Sequence, residues 1–458
     1  MNIGIVIDNP IRDLPGCILL ASKIIKDGAK VFLIPMYQQK FDVTLLDLDI
    51  IILNYARLNN FKLIQKYKKK NIKVFILDTE GGVVSSEGAD SVENWPLLLK
   101  ENGLAEWLDG YFFWGPLMYK SFETANVINN QRLHLTGNPR FDFCHPKWSF
   151  LMESEKRGYI LINANFSALN PMYSTSREAE LQAFKSAGWD EEYIKLLLDE
   201  SSRSFRDFLR TIEDLIVDNP TQAFVIRPHP FESTDLYYER FSRYNNCEIS
   251  QNKSVFSAIS NAACIIHLNC GTAVESIQLH KVPLSLEFIN TSFLSMHTPL
   301  PSKISLNVMS YKELNDTIKN LDSLSNNFDF TDKYGNFVFP MFYHNDGNAA
   351  QRIADVLKEE ATKPIKEPGI LTPTKKVSFR GSVAYIEQCV YLLLGSKIGS
   401  EIRNTFQKHR RGKMFSKGEV EKQLTLFLQS PDDSRLKVSY AINLYTRQPL
   451  TSIKCELL

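Results

Sequence analysis

The stretch Ile3-Gly4-Ile5-Val6-Ile7 decides the fold, because it is an apolar run of strand length that is followed by a helical pattern, Ile18 to Ile25. The same alternation repeats along the chain. Further strand-like runs are Val31 to Ile34, Ile50 to Leu53, Val74 to Leu77 and Tyr111 to Trp114, and further helix-like stretches are Phe61 to Lys68, Trp95 to Lys100 and Leu117 to Thr124. Apolar strands that alternate with helices are typical of a parallel sheet covered on both faces. Residues 1–145 are therefore predicted to form a Rossmann-like domain.

A second series of the same kind follows a cluster of turn-forming residues, Gly137-Asn138-Pro139-Arg140-Phe141-Asp142, with Pro146 beyond it. Its strand-like runs are Tyr159 to Ile162, Ala223 to Ile226, Ala263 to Leu268 and Val282 to Ser285, and its helical stretches are Asp190 to Val217 and Ala349 to Glu359, the latter entered through Asp346-Gly347-Asn348. Residues 146–361 are predicted to be a second Rossmann-like domain. Two such α/β domains facing a cleft bind ligands at the carboxyl ends of their strands.

The remaining chain has a different composition. Residues 362–374 contain three prolines and are predicted to be a linker. Residues 375–458 are predicted to form a helical basic extension, since segment 375–418 holds ten basic side chains and two acidic ones. An apolar helical face between Gly381 and Phe406 predicts binding to an anionic membrane surface, where the cations would contribute, or packing of a helix on the body of the protein.

Composition excludes several classes of protein. The chain has 458 residues, 44% of them hydrophobic, with 53 Lys and Arg against 52 Asp and Glu, which is typical of a globular protein and not of a nucleic-acid-binding one. Its seven cysteines are scattered without a C-x-x-C pair, so neither a disulfide framework nor a zinc module is predicted. No histidine has metal-ligand spacing. Without a signal segment or a long apolar run, the sequence predicts a protein of a bacterial cytoplasm, or one peripheral on the inner face of the cytoplasmic membrane.

The sharpest local motif is Phe224-Val225-Ile226-Arg227-Pro228-His229-Pro230, in which a strand ends at an imidazole between two prolines. Proline fixes φ, so the two rings would hold His229 in one orientation at the carboxyl edge of the sheet. From there the imidazole could donate to a phosphate oxygen, and Arg227 could add charge-assisted hydrogen bonds. The alternative is a rigid turn in which His229 only packs against a neighbour.

A second motif, Cys264 to Glu275, reads as a strand, a turn of small residues and the start of a helix. Its turn is Asn269-Cys270-Gly271-Thr272. Gly271 lets backbone approach a ligand, while Thr272 and the first helical amides could bind an anion. Glu275, three residues after Thr272, either accepts hydrogen bonds from a ribose or completes a capping box. Together with the His229 turn, this motif predicts a site for a nucleotide phosphate.

Other polar residues follow predicted strands. The run Val74 to Leu77 leads into Asp78 and Glu80, of which either could remove a proton from an acceptor hydroxyl, or Asp78 could cap a solvated turn. Arg12 and Asp13 follow the first strand and are expected at the acceptor side, or as a surface ion pair. Asn163 and Asn165 follow the first strand of the second series and could bind a nucleotide or sugar, or shape the turn.

At these residues the chain resembles bacterial surface-carbohydrate biosynthesis proteins of GT-B type, with site motifs similar to those of sialyltransferases and polysialyltransferases, Kdo transferases and CDP-glycerol glycerophosphotransferases. The motifs that carry the resemblance are Asp78-Thr79-Glu80-Gly81, Gly137 to Asp142, Arg227 to Pro230 and Asn269 to Glu275. The resemblance implies Glu80 as catalytic base and His229 as the phosphate contact. Thr79 interrupts the acidic pair of those enzymes, so Asp78 stays an alternative base, and Cys270-Gly271-Thr272 has one hydroxyl where they have a serine pair.

The function expected from these features is transfer of a sugar, from a CMP-activated donor, to a hydroxyl of a bacterial surface polysaccharide or glycolipid. The nucleotide sugar is a co-substrate, and neither a cofactor nor a metal ion is expected. Inverting and retaining routes are both open. Two other functions remain open as well: a nucleotide-sugar epimerase or hydrolase of the same fold, and a non-catalytic nucleotide-sugar-binding scaffold subunit.

Overall fold

The computed structural model describes residues 1–80, 82, 91–152, 157–172, 181, 185, 190–251, 254–362, 412–428 and 435–457. The chain divides into two compact units. The N-terminal unit comprises residues 1–81, 93–142 and 348–458, and the central unit comprises residues 82–92 and 143–347.

The N-terminal unit is a parallel sheet with helices in the crossovers. In chain order its elements are β1 (Asn2–Ile7), α1 (Pro10–Lys26), β2 (Lys30–Pro35), α2 (Gln39–Asp42), β3 (Ile50–Leu53), α3 (Phe61–Lys68), β4 (Lys73–Leu77), α4 (Asn94–Glu101), β5 (Gly110–Phe113), α5 (Pro116–Ala125) and β6 (Leu133–Leu135). All residues of β3 and β4 are buried, since helices cover the sheet and apolar side chains project from both sides of each strand.

The central unit repeats this design. Its elements are β7 (Tyr159–Asn163), α6 (Glu191–Asp218), β8 (Phe224–Arg227), α7 (Asp235–Phe241), β9 (Cys247–Ile249), α8 (Val255–Ser260), β10 (Ala262–His267), α9 (Thr272–Gln278), β11 (Pro283–Leu286), α10 (Ser292–His297), α11 (Pro299–Ile304), β12 (Leu306–Val308), α12 (Tyr311–Lys319), α13 (Leu321–Leu324), α14 (Phe330–Lys333) and α15 (Phe339–Phe342). Its core packs Ile162, Ile226 and Ile266 of three neighbouring strands against α6.

The last elements return to the N-terminal unit. They are α16 (Ala349–Ala361), α17 (Lys417–Phe427), β13 (Leu436–Ile442) and β14 (Pro449–Leu457). The N-terminal sheet therefore has the order β13-β14-β2-β1-β3-β4-β5-β6, and the central sheet has the order β12-β11-β10-β7-β8-β9. In each sheet the first strand of the series lies between two strands that come later in the chain: β1 lies between β2 and β3, and β7 lies between β10 and β8. The strand order therefore reverses beside it. Such switch points open a crevice at the carboxyl ends of the strands.

These strands and helices confirm the predicted α/β fold of two Rossmann-like domains. Apart from residues 82–92, which belong to the central unit, the chain passes from the N-terminal unit to the central unit between residues 142 and 143, at the end of the predicted turn cluster. It returns to the N-terminal unit between residues 347 and 348, so the prediction that residues 146–361 form one domain was wrong for α16. The reason is capping: both carboxylate oxygens of Asp142 accept from the first amides of α16, at 2.8 Å from Ala349 N and 2.9 Å from Ala350 N.

The predicted helical extension was wrong for residues 436–457, which form the hairpin β13–β14. β14 pairs antiparallel with β2 and so extends the N-terminal sheet. Buried Asp42 holds it there, since its Oδ2 accepts from Thr451 Oγ1 at 2.7 Å and from Ser452 N and Oγ at 2.9 and 2.7 Å. Residues 363–374 of the predicted linker, and residues 375–411 with the apolar face from Gly381 to Phe406, lie outside the described residues.

Candidate functional site

The predicted phosphate-binding residues lie at the carboxyl ends of three adjacent strands of the central sheet. Asn163 ends β7, Arg227 ends β8, and His267 ends β10. Asn163 is in register with both Arg227 and His267. The turns that follow these strands, which carry the two predicted motifs, therefore start side by side at the switch point of this sheet.

The His229 turn is built by hydrogen bonds around its backbone. The amide of His229 donates to Glu232 Oε2 at 2.7 Å, and its carbonyl accepts from Gln251 Nε2 at 2.8 Å. The ring nitrogen Nδ1 lies 3.2 Å from the amide nitrogen of Phe231, which donates to it. A neutral imidazole whose Nδ1 accepts carries its proton on Nε2, so His229 has a donor of the kind that a phosphate oxygen accepts. The preceding Arg227 is buried, 7% exposed.

The Asn269–Thr272 turn uses much of its own hydrogen-bonding capacity. Asn269 adopts a left-handed conformation, with φ of 47°, and the amide of Cys270 donates to Nδ1 of buried His267. Burial raises the pKa of the Cys270 thiol and lowers the pKa of His267 to about 4, so both groups are neutral at physiological pH. The turn is thus fixed by neutral groups, and its polar atoms are oriented before any ligand arrives.

The start of α9 differs from the predicted capping box. Gly271 is the N-cap and makes no side-chain cap. The amide of Ala273 donates to the carbonyl of Cys270 at 3.1 Å, and the amide of Val274 donates to the carbonyl of Gly271 at 3.0 Å. Fewer helical amides than predicted are therefore available to bind an anion. The hydroxyl of Thr272 instead accepts from Asn163 Nδ2 at 2.9 Å and lies 3.1 Å from Cys270 Sγ.

The structure thus brings Thr272 and Asn163 together across β7 and β10. The side-chain oxygen Oδ1 of Asn163 is buried and has no hydrogen-bond partner among the described residues. A buried polar atom without a partner is costly, so this oxygen is a position where a donor from a ligand or a water molecule would be satisfied.

The other predicted contacts divide into exposed and buried ones. Asn165 is exposed, and its Nδ2 donates to the carbonyl of Asn269 at 3.3 Å. Glu275 is 1% exposed, so a ribose would need a rearrangement of α9 to reach it. Asn269 Nδ2 donates to Asn290 Oδ1 at 2.8 Å, and Asn290 Nδ2 in turn donates to Glu287 Oε2 at 2.9 Å. Asn269 therefore shapes the turn through this network.

The predicted carboxylates of the N-terminal unit have different surroundings. Asp78 is 2% exposed, and its Oδ2 accepts from Arg57 Nη1 at 2.9 Å and from Tyr111 Oη at 3.3 Å. Its Oδ1 accepts from the amide of Glu80 at 3.1 Å, so the chain turns at Asp78. The indole of Trp114 anchors the same turn by donating to the Asp78 carbonyl at 2.7 Å.

Glu80 faces solvent at this edge, with its side chain 69% exposed and Oε1 3.8 Å from Arg12 Nη1. Desolvation raises the pKa of Glu80; the carboxylates of Asp78 and Asp8 act in the same direction, and Arg12 opposes the shift. Because most of the side chain is exposed, water screens these interactions. Of the two carboxylates, Glu80 is the one exposed to solvent.

Arg12 and Asp13 lie in the first turn of α1, where they form an ion pair. Arg12 Nε lies 2.7 Å from Asp13 Oδ1, and Asp13 Oδ2 accepts from the amide of Asn9 at 3.0 Å. Asp8 joins the cluster from the end of β1, 3.5 Å from Arg12 and 2.7 Å from Nζ of Lys413. Lys413 precedes α17, so a residue distant in the sequence completes the switch point of the N-terminal sheet.

Three residues that hold this arrangement were not predicted from the sequence: Glu232, Arg57 and Lys413. Glu232 had a local signal, because it follows His229 by three residues. Arg57 and Lys413 had none, since their partners Asp78 and Asp8 are 21 and 405 residues away in the chain. Among the described residues, no group of three or more His, Cys, Asp or Glu side chains is arranged to hold a metal ion. None of the helices in the described part of the chain has the length and apolarity that crossing a membrane requires.

Comparison with known proteins informs the fold. No protein-family model matches the chain, and no curated protein matches it significantly. Among solved structures, the UDP complex of MnaA from S. aureus superimposes with a TM-score of 0.50 at 11% identity, covering 81% of this chain and all of that one. A variant of the wall teichoic acid polymerase TagF also gives a TM-score of 0.50 at 11% identity, covering 79% of this chain and 88% of that one. At such low identity the likeness shows the fold, which is of GT-B type.

Proposed function

We propose that this protein is a glycosyltransferase that moves a sugar from a CMP-activated donor to a hydroxyl of a bacterial surface polysaccharide or glycolipid. The observation that carries the proposal is that the His229 turn and the Asn269–Thr272 turn follow β8 and β10, the two strands that flank β7 at the switch point of the central sheet. Two solved structures with the same fold, a UDP complex of MnaA and a teichoic acid polymerase, support a role with activated donors in surface-carbohydrate synthesis.

In this proposal the central unit binds the nucleotide. The donor phosphate accepts from His229 Nε2, from the hydroxyl of Thr272 and from the backbone amide of Gly271. These donors are fixed by the surrounding hydrogen bonds before the substrate binds, so they stabilise the charge that develops on the leaving nucleotide without reorganising. The buried side-chain oxygen Oδ1 of Asn163 accepts from a ligand hydroxyl. The reaction then needs no metal ion, and we expect chelator treatment to leave turnover unchanged.

Glu80 is the proposed base. As an exposed carboxylate, it would take the proton of the acceptor hydroxyl while the sugar is displaced from its phosphate. Asp78 is the weaker candidate because it is engaged by Arg57 and Tyr111. The same engagement counts against an epimerase or hydrolase that uses both acids of the pair, and so favours transfer.

The test compares two histidines with matched surroundings. His229 and His145 each precede a proline, and the Nδ1 of each lies 3.2 Å from the backbone nitrogen two residues further on. His145 does not stand at the end of a strand, since β6 ends at Leu135 and β7 begins at Tyr159. We expect His229→Ala to reduce donor turnover on the order of 10²-fold and His145→Ala to retain it. Turnover is measured as acceptor-dependent release of CMP from CMP-sugars offered with surface-glycan acceptors.

Other outcomes identify the alternatives. Calorimetric binding of CMP, CDP and UDP ranks the nucleotide, and tightest binding of UDP would contradict the CMP donor. Nucleotide binding without turnover on any acceptor would indicate a scaffold subunit. Turnover of a nucleotide sugar that is independent of an acceptor would indicate an epimerase or hydrolase. Unchanged transfer by His229→Ala would refute the phosphate role of this residue.

A further inference from the structure

Glu232 is a fully buried carboxylate beside the His229 turn, with an exposure of 0%. Its Oε2 accepts from the amide of His229 at 2.7 Å, and its Oε1 accepts from the hydroxyl of Tyr237 at 3.0 Å. Within the described part of the chain, no Lys or Arg forms an ion pair with it. Burial raises the pKa of Glu232 to about 7, because the hydroxyl of Tyr237 and the backbone amides of His229 and Phe166 compensate only part of the lost hydration.

A carboxyl group in these surroundings does not increase the stability of the fold. A buried carboxyl without a cation is less stable than an apolar side chain of similar size, since desolvation exceeds what neutral donors return. The position of Glu232 is nevertheless fixed from several sides. Its backbone forms an isolated antiparallel bridge with Pro171, and its carbonyl accepts from Gln251 Nε2 at 3.3 Å.

The same contacts immobilise the turn between His229 and Glu232. Gln251 donates to the His229 carbonyl at 2.8 Å, and the amide of Met172 donates to the Phe231 carbonyl at 2.8 Å. The amide of Phe231 is thereby held where it donates to His229 Nδ1. Loss of the Glu232 carboxylate would free the His229 amide, and with it the geometry that places Phe231 N against the imidazole.

We propose that Glu232 is the positioning residue of the candidate phosphate site: through the backbone amide of His229 it keeps the imidazole in the Nε2-protonated tautomer that donates to a phosphate oxygen. The inference rests on the proposed function for its ligand, a nucleotide phosphate. It adds a residue that touches neither the nucleotide nor the transferred sugar and acts through His229.

The test uses graded variants of the intact chain. Glu232→Ala removes both hydrogen bonds, Glu232→Gln keeps an oxygen that can accept from the His229 amide, and Tyr237→Phe removes the Tyr237 contact alone. We expect Glu232→Ala to bind CMP about tenfold or more weakly by calorimetry, Glu232→Gln to stay within about threefold of the wild type, and Tyr237→Phe to lie between them. Glu213→Gln is the matched control, because Glu213 also accepts from a tyrosine, Tyr244, at 2.9 Å and contacts no residue of the turn.

A spectroscopic readout separates positioning from folding and from the proposed function. In protein labelled with ¹⁵N-histidine, His229→Asn identifies the signal of His229 among the eight histidines. We expect the Nε2-protonated form in the wild type and in Glu232→Gln, and a mixture of tautomers in Glu232→Ala. A folded Glu232→Ala variant with wild-type tautomer and wild-type CMP affinity would overturn the proposal. If the wild type binds no nucleotide, the proposed function fails, while the tautomer comparison still decides the role of Glu232.

Discussion

Asp78 and Glu80 show how far a single residue can be assigned from its neighbours in the sequence. The motif placed two carboxylates after a buried strand, and both were plausible bases. The structure separates them because Asp78 Oδ1 accepts from the Glu80 amide, which turns the chain and leaves Asp78 inside and Glu80 outside. Local pattern predicted the strand end and its chemistry. It could not predict Arg57, which comes from another crossover and neutralises Asp78.

Because their surroundings differ, removing the charge of Asp78 should mainly lower stability, and removing the charge of Glu80 should mainly lower activity. We expect Asp78→Asn to lower the free energy of unfolding by about 2 kcal/mol, since Arg57 and Tyr111 lose a charged acceptor. Glu80→Gln should change stability by less than about 0.5 kcal/mol, as is usual for an exposed side chain, and reduce transfer on the order of 10²-fold. Urea denaturation and the CMP-release assay measure the two quantities. A stable, inactive Asp78→Asn variant together with an active Glu80→Gln variant would exchange the roles.

Glu232 predicts a pH dependence of stability. Its folded-state pKa of about 7 lies above the ordinary value for a glutamate, so its contribution is fully present below that ordinary value and is lost as the pH rises through about 7. Glutamine does not titrate. We therefore expect the unfolding free energy of the wild type, relative to that of Glu232→Gln, to fall by about 2 kcal/mol between about pH 5 and about pH 8. A difference between the two proteins that is constant with pH would contradict the shift.

At the scale of elements, the strands and helices that local sequence patterns encode were the ones predicted. Apolar runs located β3 and the two long helices α1 and α6 because burial on a sheet face or helix face leaves a periodic trace. The hairpin β13–β14 was missed because the basic composition before it favoured a helix. Its pairing with β2 joins residues more than 400 positions apart, for example Lys454 with Phe32, and no local pattern encodes that.

The attachment of this hairpin depends on Asp42. We expect Asp42→Ala to lower the free energy of unfolding of the N-terminal unit by about 3 kcal/mol, since three buried donors lose one charged acceptor. Thr451→Val removes one donor and keeps the carboxylate bonded to Ser452, so its cost should be about 1 kcal/mol. Urea denaturation followed by circular dichroism measures both. Equal, small losses in the two variants would show that the hairpin is held by its strand pairing alone.

At the scale of the whole molecule, the sequence predicted two Rossmann-like units, and the turn-forming residues that interrupt the pattern end at residue 142, where the chain enters the main part of the central unit. The return to the N-terminal unit was misplaced, since α16 has an ordinary amphipathic pattern that suits either unit. What assigns it is Asp142, which caps its first turn, together with Arg352, which donates to the Thr136 carbonyl at 2.7 Å. Such contacts between distant segments are decided by the folded chain.

This assignment can be measured by hydrogen exchange at rising urea concentration. We expect α16 and the hairpin β13–β14 to lose protection together with β1 to β6, at a concentration different from that for β7 to β12, because each unit has its own sheet and core. CMP should raise protection at the ends of β7, β8 and β10 first. If α16 lost its protection from hydrogen exchange at the same urea concentration as β7 to β12, the helix would belong to the central unit.

The pairing of β14 with β2 has a consequence for synthesis of the protein. Residues 449–457 leave the ribosome after the entire central unit has emerged, whereas β2 emerges near the start. Until then one margin of the N-terminal sheet presents open amides and carbonyls, which other nascent chains can capture. The central unit can therefore mature during translation while the first-made unit waits for its final strand, and a chaperone that shields β2 in that interval would raise the yield.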